Sequence, residues 1–192
     1  VINNITRARE NGRAVQDHIT KEVWQCLNDY HHLIRDKNIY TQVKSGDPVT
    51  ALDSLIYQGM LYHGTVDITM ARGEGFNYLN AGKFLERAIL SADMLNIKLT
   101  ELGYKLEAPV ELPALRYLLY SLSGYELYLK SHRGNLQADF VIQQIVYNEQ
   151  FPHSIAYCLK QLFRYFERLE PESLPENYKQ LEFLIGRAMN NV

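Results

Sequence analysis

The sequence predicts an all-α protein, a helical bundle of about six to eight helices packed around a buried central helix. Three observations carry this. Apolar residues recur at spacings of three and four through most of the 192 residues, the repeat of a helix with one packed side. Prolines and capping residues divide the chain into helix-sized pieces. No segment alternates with period two for long enough to form a strand.

The central helix is read over Phe76–Leu95, fraying as late as Leu102. Leu79, Gly82, Leu85, Ala88, Ile89, Ala92 and Leu95 form one broad stripe on it, and Phe76, Leu90 and Met94 a second on the far side. A helix apolar on two sides is packed on two sides. Lys83, Glu86, Arg87 and Asp93 lie among these stripes, so they must pair or reach water at a seam.

The first helix is expected from about Ile2 to His18, with Ile5, Ala8, Gly12, Val15 and Ile19 as its seam and Thr6, Glu10, Arg13 and Asp17 opposite. Glu10–Arg13 and Arg13–Asp17 have the spacing of helical ion pairs. Thr20 caps a second helix, Glu22 suits its positive end, and Trp24 reads as a large core filler. His31 and His32 adjoin Asp29 but point to different sides of a helix, which argues against a metal site.

The pattern lapses from Asn38 to Gly46, and Asp47-Pro48 then opens a helix running to about Ala71. Gly103–Glu111 reads as a loop and Pro113 opens the next helix, broken at Ser123-Gly124 and resumed over Tyr125–Lys130. Asn135 is the expected cap for Leu136–Tyr147. Pro152 is expected to start a helix that stops before Pro171, and Pro175 to open the last. Fourteen tyrosines are many for this length; Tyr117, Tyr120, Tyr125 and Tyr128 cluster and read as core and seam fillers.

Composition limits the functional classes. With 20 basic and 22 acidic residues and a formal net charge of −2, nothing draws the whole chain to nucleic acid or an anionic membrane. Cys26 and Cys158, each inside a helical pattern, read as buried thiols of a reducing, cytoplasmic protein. No apolar run approaches the ~20 residues that span a bilayer. No nucleophile sits in an activating motif, no Glu-x-x-His repeat suggests a di-iron bundle, and no glycine-rich phosphate loop occurs, so neither a cofactor nor a metal is expected.

What remains is charge on helices. Arg9, Glu10, Arg13, Asp17 and Glu22 on one side, and Lys83, Glu86 and Arg87 on the other, are the candidate charged seam, expected to meet and to be buried together. Such a seam is either a structural ion-pair network or a site in which arginines clamp a carboxylate or phosphate.

These residues also carry a family resemblance. The run from Ala8 to Asp17 (ARENGRAVQD), followed by Thr20-Lys21-Glu22-Val23-Trp24 and Leu27-Asn28, resembles the alpha-E family of bacterial proteins. Gly82-Lys83-Phe84-Leu85-Glu86-Arg87-Ala88 resembles that family's Gly-Arg-x-x-Glu-Arg-Ala motif, and Phe151-Pro152-His153-Ser154 its Pro-Arg-Ser segment. Gly12 stands for an alanine, and Gln16, Lys83 and His153 for arginines, so anything those arginines bind would be altered here.

The resemblance implies one helical domain over residues 1–192. It also implies partners of the ATP-grasp carboxylate-amine ligase or transglutaminase-like kind, in peptide modification. The family's first Gly-Arg-x-x-Glu-Arg copy is missing and the chain starts at Val1 within a helical pattern, so upstream residues are expected to complete the fold.

Two functional readings stay open. One is a helical accessory or interaction protein. The other is an enzyme using Glu10, Asp17 or Glu86 as acid or base, with Arg13 and Arg87 holding an anionic or peptide substrate. A purely structural dimerisation module is the plainest alternative.

Overall fold

A computed structural model describes residues 2–104, 112–169 and 177–192. Among these the chain is all helical, with ten α-helices rather than six to eight: α1 (Ile2–Ala14), α2 (Lys21–Leu33), α3 (Lys37–Ser45), α4 (Pro48–Thr69), α5 (Glu74–Glu101), α6 (Leu112–Ser121), α7 (Tyr125–His132), α8 (Ala138–Tyr147), α9 (Ile155–Phe166) and α10 (Tyr178–Asn190). They form two compact units, residues 1–76 and 77–192. Pro171, Pro175 and most of the Gly103–Glu111 loop lie outside the described residues.

Local chemistry sets the helix starts. Thr20 accepts from the Val23 N–H at 3.3 Å to cap α2, and Asp47 accepts from the Thr50 N–H at 3.3 Å with Pro48 in the first turn of α4. The expected gap at Asn38–Gly46 is instead the helix α3. Asp36 caps it through the Asn38 N–H at 2.8 Å, and Gly46 ends it in the left-handed region at φ 92°. The first helix is shorter than expected: α1 stops at Ala14 and a 3₁₀ turn covers Gln16–His18.

Two later starts also shift. Gln137, not Asn135, precedes α8, because the Tyr128 hydroxyl engages the Asn135 carbonyl and the Gln137 N–H and keeps that strap extended. Ser154, not Pro152, caps α9, accepting from the Tyr157 N–H at 3.0 Å and donating to the Asn148 carbonyl at 2.6 Å.

In the first unit, α1 lies on α2 and α2 on α4. Gly12 lets α1 approach: a Cβ there would stand 2.6 Å from Leu27 Cδ1. Across the other face, the Tyr30 hydroxyl donates to the Leu55 carbonyl at 2.9 Å. Of the expected α1 seam, Ile5 and Gly12 are buried while Ala8 and Val15 are exposed.

The second unit has two cores. Leu115, Leu118, Leu119, Leu122, Tyr128, Val141, Ile145 and Phe151 fill one with Leu95; Phe84, Ala88, Cys158, Leu159 and Leu162 form the other. Of the tyrosine cluster only Tyr128 is fully buried, and Tyr117 and Tyr120 face water.

The central helix is buried along one edge rather than all round. Its buried stripe is Asn77, Asn80, Phe84, Ala88, Ser91 and Leu95, whereas Leu85, Ile89 and Leu90 are each about half exposed. Ala88 and Leu95 of the first expected stripe and Phe76 of the second are buried as read, but Asn77, Asn80 and Ser91 share the packed side, so a reading that weights hydrophobicity recovers only part of it.

Candidate functional site

Arg9 projects from α1 onto α2, where its Nε donates to Asn28 Oδ1 at 2.7 Å and its guanidinium lies 5.5 Å from the centre of the Trp24 ring. Asn28 is itself fixed, because its Nδ2 donates to the Trp24 carbonyl one turn back at 2.9 Å. Trp24 is therefore only half-buried and serves as a shelf for Arg9. Arg9 from α1 and Trp24 and Asn28 from α2 make one interlocked joint.

His31 lies one turn beyond Asn28, buried, and its Nδ1 has no hydrogen-bond partner among the described residues. Burial pushes its pKa below the ordinary 6.5, the nearby positive charges of Arg35, Arg9 and His32 push the same way, and Glu10 opposes. The unfolded chain therefore binds more protons than the folded one just below that value. Stability is full above about pH 6.5 and falls as the pH drops until the folded-state pKa is passed. Thermal melts between about pH 7.5 and 5.5 should show this loss. The His31→Gln variant should lose less over the same range, and equal slopes for the two proteins would contradict the assignment.

The remaining charges of the first helix behave differently. Glu10, Arg13, Asp17 and Glu22 are exposed. Neither Glu10–Arg13 nor Arg13–Asp17 closes as an ion pair; α1 ends at Ala14, so Asp17 leaves the helical face that would have aligned it with Arg13. The expected burial of this stripe is not found.

In the second unit Arg87 reaches from α5 to the turn before α9, where its Nη1 donates to the Pro152 carbonyl at 3.3 Å. The same carbonyl accepts from Cys158 Sγ at 3.5 Å. Phe84, one turn earlier on α5, lies flat on Tyr165 (5.9 Å between ring centres, 11° between planes) and edge-on to Tyr157 at 6.0 Å. Lys83 Nζ and the Arg87 guanidinium stand 4.7 and 5.5 Å from the Phe84 ring.

Two segments singled out in the sequence, the one holding Lys83, Glu86 and Arg87 and the one running from Phe151 to Ser154, are thus joined by Arg87. Glu86, next to Arg87 but turned away by the helical step, is exposed.

Electrostatics at this joint disfavours a nucleophilic thiol. Burial pushes the Cys158 thiol up to about 11, against the opposing charge of Arg87, so it is not a thiolate at neutral pH. Burial, and after it Arg87, holds His153 below the ordinary imidazole range. Removing the guanidinium by Arg87→Ala should cost about 1 kcal/mol, from one hydrogen bond and a cation–π contact. Glu86→Gln should stay within about 0.5 kcal/mol, as for other exposed positions. Urea titration of the two variants separates these values.

The structure therefore draws Arg9 and Arg87 into joints with residues that sequence reasoning left off the site: Trp24, Asn28 and His31 in one unit, Phe84, Pro152 and Tyr165 in the other. The signal for the first was the Trp24–Asn28 spacing of one helical turn; for the second it was Phe84 set between two cations.

A second Glu-Arg pair, Glu167-Arg168, follows α9. The Arg168 carbonyl accepts from Asn77 Nδ2 at 3.3 Å and its guanidinium lies 5.7 Å from the Tyr165 ring.

The second unit also carries an open cleft of about 410 Å³ lined by His132, Gln143, Gln144, Tyr147 and Asn148, which contains none of the expected site residues. Among the described residues, no group of three or more His, Cys, Asp or Glu side chains is placed to hold a metal ion. No helix there is long and apolar enough to cross a membrane.

A family model described as a predicted alpha-helical domain with a conserved ER motif matches residues 1–192. No curated protein and no solved structure matches the chain significantly.

Proposed function

The chain belongs to the Alpha-E family, and from that premise we propose that it is a helical accessory protein that binds a partner rather than transforming a substrate. The partner is an ATP-grasp-type carboxylate-amine ligase or a transglutaminase-like protein, and the setting is peptide modification.

One observation supports this above the others. The motif arginines Arg9 and Arg87 join elements inside their own units, while Glu10, Arg13, Asp17, Glu22 and Glu86 stand in water. Arginines held in this way set the angle between helices. Exposed carboxylates beside them give each unit charges that steer and select a partner, the role in which surface charge is most effective.

Calorimetric titration of a purified ATP-grasp-type ligase into the chain tests this. A double variant, Glu10→Gln with Glu86→Gln, should bind about 10-fold more weakly, a loss of ~1.4 kcal/mol, at an unchanged melting temperature. Equal affinity for wild type and variant would remove the proposed role of these carboxylates.

A further inference from the structure

α4 packs one side against α2 and α3 and leaves the other in water, although that other side is as apolar as the first. On it Val49, Leu52, Ile56, Tyr57, Met60 and Ile68 are 65, 50, 58, 66, 61 and 85 % exposed. A helix exposing one polar face is ordinary; one exposing a row of large aliphatic residues is not.

We infer that this face is the contact between two copies of the chain, joined with their α4 helices antiparallel; the inference does not depend on the accessory role proposed above. Area is the first argument. A large side chain carries on the order of 200 Å², so side chains exposed to this degree approach the ~800 Å² per partner of a standard interface. They also exceed the ~300–600 Å² of the largest patch on a typical monomer. α4 has 22 residues, about 33 Å of helix along which to lay a partner.

Self-complementarity is the second argument, and it selects a second copy over an unrelated helix. A two-fold axis level with Gln58 sets Ile56 of one copy against Met60 of the other. It sets Leu52 against Gly64, where no atom lies within 4 Å of the position a Cβ would take, so a hollow faces a knob. It also sets Asp53 against His63, a polar pair repeated on both sides of the axis. Asp67, the other acid on this face, is already paired with Arg72 at 3.2 Å within its own chain.

Sedimentation velocity on the 192-residue chain, from about 1 to 100 µM, should give the mass of a dimer. Met60→Glu, at an exposed position, should dissociate at least about 100-fold more readily with unchanged far-UV circular dichroism and melting temperature. A second variant fixes the register: I56C/M60C, oxidised, should run as a covalent dimer on a non-reducing gel, since the native Cys26 and Cys158 are buried.

A monomer at the highest concentration would overturn the inference, as would a dimer indifferent to Met60→Glu or failure of I56C/M60C to cross-link. So would a monomer whose α4 face resists surface labelling, which would mean that other residues of the same chain cover it.

Discussion

Tyr128→Phe is expected to destabilise the second unit by about 3 kcal/mol, although it removes a single oxygen atom. The hydroxyl is fully buried. It donates to the Asn135 carbonyl at 2.7 Å and accepts from the Gln137 N–H at 3.0 Å, and so holds the middle and the far end of the strap between α7 and α8. Phenylalanine keeps the ring and its packing but leaves a backbone donor and a backbone acceptor without partners, at ~1–3 kcal/mol each. Burial also raises the pKa of this phenol, against the Gln137 hydrogen bond, so the hydroxyl stays protonated through the neutral range and remains a donor. Urea unfolding should show the midpoint shifted at constant slope. A loss below about 1 kcal/mol would show that the strap finds other partners for its backbone groups.

Gly124→Ala should cost a comparable amount, about 2–3 kcal/mol, through overpacking. A methyl group there would lie 2.6 Å from Phe151 Cζ and 3.1 Å from Gln144 Nε2. Neither neighbour can withdraw. Phe151 is 1 % exposed and wedged into the core of α6, α7 and α8, and Gln144 Nε2 donates to the carbonyl of Gly124 itself at 2.7 Å. Moving the ring disturbs the core; moving the amide breaks a buried hydrogen bond.

Gly12→Ala is the informative contrast, because its methyl would meet an atom at the same 2.6 Å. That atom is Leu27 Cδ1, the end of a side chain with rotamers to choose from, and alanine gains about 1 kcal/mol over glycine inside a helix. The net change should lie within about 1 kcal/mol of zero. Thermal denaturation of both variants compares them directly, and equal losses would show that the two contacts are equally rigid.

Much of the fold was legible because helix ends are written in local chemistry. Thr20, Asp47-Pro48 and Ser123-Gly124 each stand where a helix begins or breaks. α3 was missed although its Asp36 cap, the helical spacing of Ile39, Tyr40 and Val43 and its Gly46 stop were all in the sequence; the helix is nine residues long and none of them is buried. Burial was harder to read. On α5 the packed stripe includes Asn77, Asn80 and Ser91, and on α4 the apolar residues run all round, so hydrophobicity did not point to the face that packs. Propensity and pattern report what a residue would tolerate, and tertiary packing decides which tolerance is used.

The candidate site was half legible for the same reason. Arg9, Glu10, Lys83, Glu86 and Arg87 were singled out by type and spacing. Their separation into inward arginines and outward carboxylates depends on helix rotation, which spacing alone fixes only to within the width of a face. The first-helix stripe of Glu10, Arg13 and Asp17 failed as an aligned row because the α-helix stops at Ala14, four residues before His18, and a 3₁₀ turn follows, a change that no residue in Ala14-Val15-Gln16 announces.

The division of labour between these residues is most directly measured by turnover in a reconstituted reaction containing a purified ATP-grasp-type ligase, its substrates and this chain at saturating concentration. With Glu86→Gln or Arg13→Ala in place of the wild type, the saturated rate should be unchanged. The chain concentration needed to reach it should rise, because the proposed accessory role gives these exposed groups recognition alone. A variant that binds and melts as the wild type does, yet abolishes turnover at saturation, would contradict the accessory role and make the carboxylate or the arginine part of the chemistry.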